Sequence, residues 1–194
     1  MQLVPLLFVL FCVFRSTRGI GASMGTGRWL VQNIEYCDDH EQYELKFGLS
    51  RRKINRTHDC FTISLDTDNT FDDTWGIEMD IYKLVDGGYK FYQFLSDKSA
   101  CHFAMQNAKN NFVEVLKLAH IVPPACPIAQ GNYTAENYVF NYSELKGHFI
   151  YGKYMVNCRL MYEGARVSCL KFYCNFESGT YDDVCDDDED DDVD

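Results

Sequence analysis

Apolar and polar residues alternate along most of the chain, which is the pattern of half-buried β-strands. Apolar side chains recur at every second position in residues 43–49, 61–65 and 75–81. Residues 86–88 read Asp-Gly-Gly and supply the positive φ angles that a tight hairpin requires. The return strand of that hairpin is therefore predicted at residues 89–95.

The period changes between residues 99 and 121, where apolar residues recur every three or four positions. This spacing predicts one helical insert with a single apolar stripe. Ser99 is a suitable N-cap, and the two prolines at residues 123–124 end the segment. The two asparagines at residues 110–111 weaken its middle, so two shorter helices remain an alternative.

Strand patterns resume at residues 132–142, 147–162 and 166–176. The chain thus shows about eight strands and one helical insert, without the β-α-β alternation of a parallel sheet. We predict a mainly β protein, an antiparallel β-sandwich or cup with the insert at about residues 99–121.

The register of the last predicted hairpin depends on its turn. A two-residue turn would place Cys158 opposite Cys169, whereas a three-residue turn pairs Val156 with Phe172. The second register puts apolar residues of both strands on one face, so we favour it. It argues against a disulfide between Cys158 and Cys169.

The N-terminus carries an apolar run at residues 3–14, too short for a membrane-spanning helix. Small residues follow it, as in a signal peptide, and cleavage is expected near residue 22. We therefore expect a leader at residues 1–22, one domain at residues 23–181, and a secreted, extracellular protein.

Cysteines and sequons agree with secretion. Eight cysteines remain after removal of the leader, and an even count in an exported chain is typical of up to four disulfides. Eight cysteines allow 105 pairings, so spacing alone does not fix them. Sequons for N-glycosylation begin at Asn55, Asn132 and Asn141.

The net charge of −11 is unevenly spread, because residues 182–194 hold ten acidic side chains and no basic one. Without this tail and the leader the body is close to neutral. A near-neutral body excludes a nucleic-acid partner, whose phosphates require a basic face. The tail is predicted to be disordered and to act as a solubilising segment.

No catalytic or metal-binding motif stands out. None of the five histidines lies in a nucleophile motif, and no G-x-S-x-G occurs. The acidic stretch at residues 66–73 lacks the glycine and glutamate of an EF-hand, since Phe71 and Ile77 occupy those places. We predict a non-enzymatic protein without a cofactor or a metal site.

Segments in the second half resemble the MD-2-related lipid-recognition superfamily. The resemblance is carried by Cys101-His-Phe, by residues 123–138 (PPACPIAQGNYTAENY) and by residues 147–154 (GHFIYGKY). Residues 33–37 and 81–89 fit more loosely, and the match extends over about residues 28–177. The sequence looks closest to the insect branch that includes the chemosensory B proteins, distant relatives of the GM2 ganglioside activator.

The resemblance implies a β-sandwich cup whose interior holds an acyl chain or a similar apolar ligand. It also implies a disulfide between Cys101 and Cys126, and one from the first strand to the last. For the second we expect Cys37 with Cys174, because Cys174 lies on the apolar face of its strand.

Aromatic residues make up 15% of the chain, so an interior lined by rings is available. The leading hypothesis is a secreted carrier or presenter of a lipid or pheromone-like apolar ligand, in insect chemosensation. The alternative is an extracellular module that acts on a membrane receptor or channel and has no ligand cavity. Candidate ligand-lining residues, for which ordinary core packing is an equal alternative, are Trp75, Phe91, Phe94, Phe103, Phe112 and Phe172.

Overall fold

The computed structural model describes residues 24–25, 27–39, 43, 45–53, 59–145 and 149–179. The expected leader, the Asn55 sequon and the acidic tail lie outside the described residues. The described part contains β1 Met24–Gly25, β2 Arg28–Tyr36, β3 Lys46–Lys53, β4 Asp59–Thr67, β5 Trp75–Val85, β6 Gly88–Asp97, α1 Ala100–Asn107, α2 Lys109–Leu118, β7 Gly131–Val139, β8 Phe149–Ile150, β9 Gly152–Tyr162 and β10 Ala165–Glu177.

Two antiparallel sheets form the body of the molecule. The larger has the strand order β2-β10-β9-β5-β6, and the smaller has the order β3-β4-β7. The short strands β1 and β8 pair with each other. The predicted fold class is confirmed, because the chain is mainly β, antiparallel, and carries its helices between β6 and β7.

The β9–β10 hairpin turns on Glu163 and Gly164, both of which have positive φ. The turn has two residues instead of the predicted three, but β10 then contains one extra residue, Val167, as a β-bulge. Because of this bulge, Val156 lies opposite Phe172, as predicted. The predicted register is therefore correct, but it results from the bulge at Val167 and not from a three-residue turn.

The β5–β6 hairpin agrees with its sequence. Val85 pairs with Gly88 across a two-residue turn. Gly87 and Gly88 have φ angles of +87° and +111°. Glycine adopts such angles at no steric penalty, which explains the sharp reversal at this point.

The helical insert consists of two shorter helices, which was the stated alternative to a single helix. The helical segment is interrupted at Ala108, where φ is −154°, and not at Asn110 or Asn111. Ser99 caps α1, because its side-chain oxygen accepts a hydrogen bond from the backbone N–H of His102 at 3.1 Å. Ala108 offers α2 no side-chain cap.

The main packed core lies under the helices. Trp75 is 2% exposed, and its ring lies 5.0 Å from that of Phe71 and 4.8 Å from that of Tyr162. Its indole N–H donates to the backbone oxygen of Thr70 at 2.8 Å, so the buried polar atom is satisfied. The core therefore fixes the start of β5 against the end of β9.

A second packed region, here called the aromatic cluster, consists of Trp29, Phe149, Tyr151, Tyr154 and Phe176. Phe176 is its centre, with ring centroids 4.8 Å from Trp29, 5.3 Å from Phe149 and 5.4 Å from Tyr151. Trp29 also lies 5.4 Å from Tyr154. The cluster fills the space where β8 meets the ends of β2, β9 and β10.

In the part of the chain that the structure describes, neither helix has the length and apolarity needed to cross a membrane.

Candidate functional site

A cavity of about 350 Å³ lies between the two sheets, with the helices on one side. Strands contribute alternate residues to its wall, as expected for a sheet with one inward face. Leu49 of β3, Leu65 of β4 and Leu170 of β10 are examples. The sandwich therefore holds open apolar space as well as packed core.

The helices line the cavity with unusually small side chains. Ala100, Ala104 and Ala108 recur at a spacing of four residues and all contribute to the wall. Ala100 and Ala104 lie on one face of α1, because residues four apart share a helical face, and Ala108 adds a third methyl group at the junction with α2. Larger residues at these positions would fill much of the space, so the alanines leave it open.

One polar group of the wall comes from α2. Asn111 is 4% exposed, and its side-chain amide is fully hydrogen-bonded. The amide oxygen accepts from the Tyr138 hydroxyl and from the backbone N–H of Asn141 at 2.8 Å. The amide nitrogen donates to the backbone oxygen of Asn141 at 2.9 Å and to Glu144 Oε2 at 3.0 Å. The network joins α2 to the segment after β7.

Glu144 also supplies the cap that α2 lacks locally. Its Oε2 accepts from the backbone N–H of Asn111 at 3.1 Å, in the first turn of the helix. A carboxylate at this place satisfies a free N–H and interacts favourably with the helix dipole. The wall of the cavity is thus held by a contact 33 residues away in sequence.

Burial suppresses the ionisation of two groups in the wall, Tyr138 and Cys158. Burial, followed by the negative charges of Glu144 and Glu114, raises the pKa of the Tyr138 phenol well above its ordinary value. Burial raises the pKa of the Cys158 thiol to about 12. Both groups are therefore neutral near pH 7.

A second space of about 370 Å³ adjoins the cavity at Phe47 and Ser168, which border both. Tyr43 also lines it, and its hydroxyl donates to Asp39 Oδ2 at 2.6 Å. This hydrogen bond lowers the pKa of the Asp39 carboxyl. The second space therefore lies next to a negative charge.

The structure places two of the six candidate lining residues in the cavity wall. Phe112 of α2 and Phe172 of β10 both border the cavity. Trp75 does not border it, and its ring packs instead against those of Phe71 and Tyr162. Phe103 of α1 is half-buried and also outside the wall.

Phe91 and Phe94 lie away from the cavity. They are 61% and 49% exposed on β6, the edge strand of the larger sheet. Alternation correctly identified a strand here, but Phe94 lies opposite Asp80 and Phe91 opposite Tyr82, on the outer face. A residue-by-residue pattern does not say which face of an edge strand is covered.

Both disulfides implied by the resemblance are present, but the partner expected for Cys37 was wrong. Cys101 is bonded to Cys126, as expected. Cys37 is bonded to Cys169, with Cα atoms 5.5 Å apart, and not to Cys174.

The register of β2 and β10 explains this correction. Tyr36 pairs with Leu170, so the next residues along, Cys37 and Cys169, lie opposite each other. Cys174 pairs with Val31 and faces the interior as a free thiol. Its apolar position was correctly inferred, but a disulfide requires adjacency of the Cα atoms.

Among the described residues, the potential metal-ligating atoms of Cys37, Asp39 and Cys169 lie within 4.8 Å of one another. The two sulfurs are joined in a disulfide, so neither is a thiolate ligand. This group is not suited to holding a metal ion.

Asn132 on β7 and Asn141 beyond it are both exposed, which is compatible with their role as predicted glycosylation acceptors. Asn55 lies outside the described residues, so the exposure of its side chain as a glycosylation acceptor stays a prediction. Glycosylation at any of the three sites is likewise still a prediction.

Sequence reasoning missed Asn111 and Tyr138 as parts of the cavity wall. Asn111 was interpreted as a helix-weakening residue, and nothing near it in sequence indicates its partners. The signal that was available is the row Ala100, Ala104 and Ala108, since small residues on one helical face mark a close approach or an open space.

No protein-family model matches the chain, and no curated protein matches it either. Among solved structures, that of chicken MD-1 complexed with lipid IVa is similar to this chain. The sequences are 13% identical, the match covers 78% of this chain and 99% of that chain, and the TM-score is 0.38. A likeness at this level carries no argument about the ligand or the partners of this chain.

Proposed function

We propose that this chain is a non-enzymatic binding protein that holds one small apolar ligand, such as a lipid or a pheromone-like molecule, between its sheets. The observation that carries the proposal is the cavity of about 350 Å³, whose wall is formed almost wholly by aliphatic and aromatic side chains. Small-molecule sites have volumes of about 300–1,000 Å³ and mostly apolar walls.

Desolvation alone provides the affinity in such a site. Each methylene moved from water into an apolar cavity contributes about 0.8 kcal/mol. A chain of ten methylenes therefore gains on the order of 8 kcal/mol before the loss of its translational freedom is subtracted. A longer chain gains proportionally more, so the affinity comes from apolar burial without a charged group in the wall.

We further propose that the protein acts outside the cell, as a carrier or presenter in the manner of insect chemosensory proteins. The disulfides Cys37–Cys169 and Cys101–Cys126 support an oxidising compartment. The exposed sequons at Asn132 and Asn141 support passage through the secretory pathway. The apolar run at residues 3–14 supports a cleaved leader.

Ligand binding is tested with the full-length chain secreted from eukaryotic cells. We expect native mass spectrometry to find a mass increment of one small molecule, and organic extraction to recover it. The stripped protein should take up N-phenyl-1-naphthylamine, an uncharged fluorescent probe, at a ratio of one to one. A stripped, folded protein that takes up neither probe nor lipid contradicts the proposal.

The site is tested by filling it. Ala104→Phe places a ring in the row of methyl groups on α1 and should reduce probe uptake at least tenfold. Gln106→Phe adds the same ring to the exposed side of the same helix and should leave uptake unchanged. Val115→Phe fills the cavity from α2 and should act like Ala104→Phe. Equal uptake by all three variants contradicts the assignment of the cavity as the site.

A further inference from the structure

Strand β6 forms one edge of the larger sheet. It pairs with β5 on one side, and among the described strands none pairs with it on the other side. It is 10 residues long and contains no proline. A free edge of this length leaves a row of backbone N–H and C=O groups available to another strand.

Two phenylalanines are exposed along this edge. Phe91 and Phe94 are 61% and 49% exposed and lie on the outer face of the sheet. The ring of Tyr82 lies 5.9 Å from that of Phe91 and extends the apolar surface. Exposed rings beside a free backbone edge are typical of a surface that a partner covers.

A β-bulge gives β6 a side-chain pattern that is symmetric about its centre. Tyr92 is an extra residue, since its neighbours Phe91 and Gln93 pair with consecutive residues of β5. Tyr92 faces inwards, because its ring lies 5.9 Å from that of the buried Tyr154. Gln93 also faces inwards, because it precedes the outward Phe94. The side chains of residues 91–94 thus point out, in, in and out, an order that is the same in both directions.

This order permits one antiparallel pairing of β6 with the β6 of a second copy. A twofold axis between Tyr92 and Gln93 sets inward residues opposite inward residues and outward residues opposite outward residues. Phe91 of each copy then lies opposite Phe94 of the other, and cross-strand aromatic pairs stabilise a sheet. Any shift of this register sets an outward ring against an inward side chain, so the bulge fixes the register.

The charges along the edge also match in this register. Lys90 lies opposite Lys83 within the chain, which is an unfavourable pair of like charges. In the pairing of two copies, Lys90 lies opposite Leu95 of the second copy and diagonal to its Asp97. The Asp97 carboxylate is partly exposed, and a diagonal neighbour is within reach of a lysine side chain. The second copy therefore supplies an anionic partner that β5 does not.

We propose that two copies of this chain associate through β6, antiparallel about a twofold axis, so that their larger sheets join into one continuous sheet. Each copy offers β6 once, so the assembly closes as a dimer. The inference goes beyond the proposed function and does not depend on it, because no residue of β6 borders the cavity.

The oligomeric state tests the inference on the full-length chain secreted from eukaryotic cells. We expect sedimentation velocity to show a monomer–dimer equilibrium over about 1–100 µM protein, without larger species. A protein that is monomeric throughout this range overturns the inference, and so does growth beyond the dimer.

The rings are tested by their removal. The double variant Phe91→Ser, Phe94→Ser should dimerise at least about tenfold more weakly, because both cross-strand aromatic pairs are lost. Both side chains are exposed in one copy, so the variant should still fold. Tyr36→Ser is the matched control, since Tyr36 is 49% exposed on β2, at the opposite edge of the same sheet. Unchanged dimerisation of the double variant, or equal weakening by Tyr36→Ser, overturns the assignment to β6.

Lys90→Glu separates folding from association. Within one copy it replaces a pair of like charges with Lys83 by a pair of opposite charges, so the fold should not be weakened. In the dimer it places a carboxylate near Asp97 of the second copy, so dimerisation should weaken by about threefold. Dimerisation as strong as that of the parent protein overturns the proposed register.

Cysteine crosslinking measures the register while both phenylalanines are kept. Tyr89 of one copy lies opposite Ser96 of the other in the proposed pairing. A mixture of the Tyr89→Cys and Ser96→Cys variants, each also carrying Cys185→Ser to remove the cysteine of the tail, should form a disulfide-linked dimer under mild oxidation. Either variant alone should not, because its two introduced thiols lie seven residues apart along the strands, about 24 Å. Crosslinking of either variant alone as fast as the mixture overturns the register.

Other occupants of this edge give different results. If the chain stays monomeric and binds vesicles of phosphatidylcholine and phosphatidylserine through Phe91 and Phe94, the surface belongs to a membrane and the inference is overturned. A monomeric chain whose β6 instead binds a strand of a different protein overturns it as well.

Discussion

Two neighbouring stretches of the inner face of β10 differ in packing, because one borders the cavity and the other is enclosed by aromatic rings. On β10, Ser168, Leu170 and Phe172 border the cavity, and Phe176 lies four residues further on at the centre of the aromatic cluster. All of them point to the same side of the strand, because side chains alternate along it. One end of the face is covered by rings, and the other borders the open space of the cavity.

Whether the space over one face of β10 is packed or open therefore depends on which side chains lie opposite that face. Rings from Trp29, Phe149 and Tyr151 close over Phe176 at centroid distances of 4.8–5.4 Å. Leu170, by contrast, borders the cavity, whose wall also includes the small side chains of Ala104 and Ala108. The strands supply similar apolar surfaces in both places, so a cavity is a property of the pair of surfaces and not of one strand.

The largest expected effect is on packing. Phe176→Ala should lower the free energy of unfolding by about 3–5 kcal/mol, because it removes a ring enclosed by other rings. Phe172→Ala, on the same strand and face, should cost about 1–2 kcal/mol, since part of its ring already faces empty space. Urea unfolding followed by tryptophan fluorescence measures both. Equal losses would contradict the contrast between the two ends.

The next effect concerns the disulfide that holds the helical wall. Replacing Cys101 and Cys126 together by alanine should cost about 2–4 kcal/mol and weaken probe uptake, because the bond fixes α1 to the segment after α2. The matched control replaces Cys37 and Cys169, which join β2 to β10. It should also lose stability but keep its affinity for the probe. A reversed pattern of probe affinity would show that the helices do not form the wall.

A smaller effect is expected at the polar contact of the wall. Asn111→Ala leaves the Tyr138 hydroxyl without its acceptor and removes one of the two hydrogen bonds that Asn111 donates to the Glu144 carboxylate, so it should cost about 1–3 kcal/mol. Asn110→Ala is the control, since Asn110 is exposed in the same helix, and it should change stability by less than about 0.5 kcal/mol. If both variants are equally stable, the network does not hold α2 in place.

The smallest effect is a dependence on alkaline pH. Burial raises the pKa of the Cys158 and Cys174 thiols to about 12 from an ordinary value of 9.0. The folded state therefore keeps protons that the unfolded state loses, so stability is fully present below pH 9 and falls as the pH rises towards 12. At pH 10 each thiol should account for a loss on the order of 1 kcal/mol.

Replacing either cysteine by valine should remove the contribution of that thiol to the loss of stability at alkaline pH. Chemical unfolding at pH 8 and pH 10 measures the difference for Cys158→Val and Cys174→Val. Cys158 borders the cavity and Cys174 does not, so a smaller share for Cys158 would indicate water in the cavity. A pH dependence that is the same in both variants and in the parent protein would contradict the shifted pKa values.

The sequence predicted the parts of the fold that depend on local pattern. Alternation identified β4, β5, β6, β9 and β10, and the Asp-Gly-Gly turn identified the β5–β6 hairpin. Ser99 was identified as a cap from its place before the apolar stripe, and the structure confirms it. These signals lie within a few residues of the feature they predict.

The rest depends on contacts between distant segments. The Cys37–Cys169 bond follows from the register of β2 against β10, a pairing across more than a hundred residues. The cavity depends on which side chains meet across the sandwich, so Phe112 and Phe172 border it and Trp75 does not. Strand alternation for Trp75 and Phe172, and the helical stripe for Phe112, give each of these residues an inward position, and only the opposing surface distinguishes them.

The bulge at Val167 gives the chain a point of unusual sensitivity to length. Without that residue, every position of β10 beyond the hairpin would exchange inner for outer side relative to β9. Leu170 and Phe172 would turn to solvent, and Lys171 and Tyr173 would enter the interior. Loops elsewhere tolerate the insertion or deletion of a residue, but deletion of this one residue would exchange the inner and outer faces of β10.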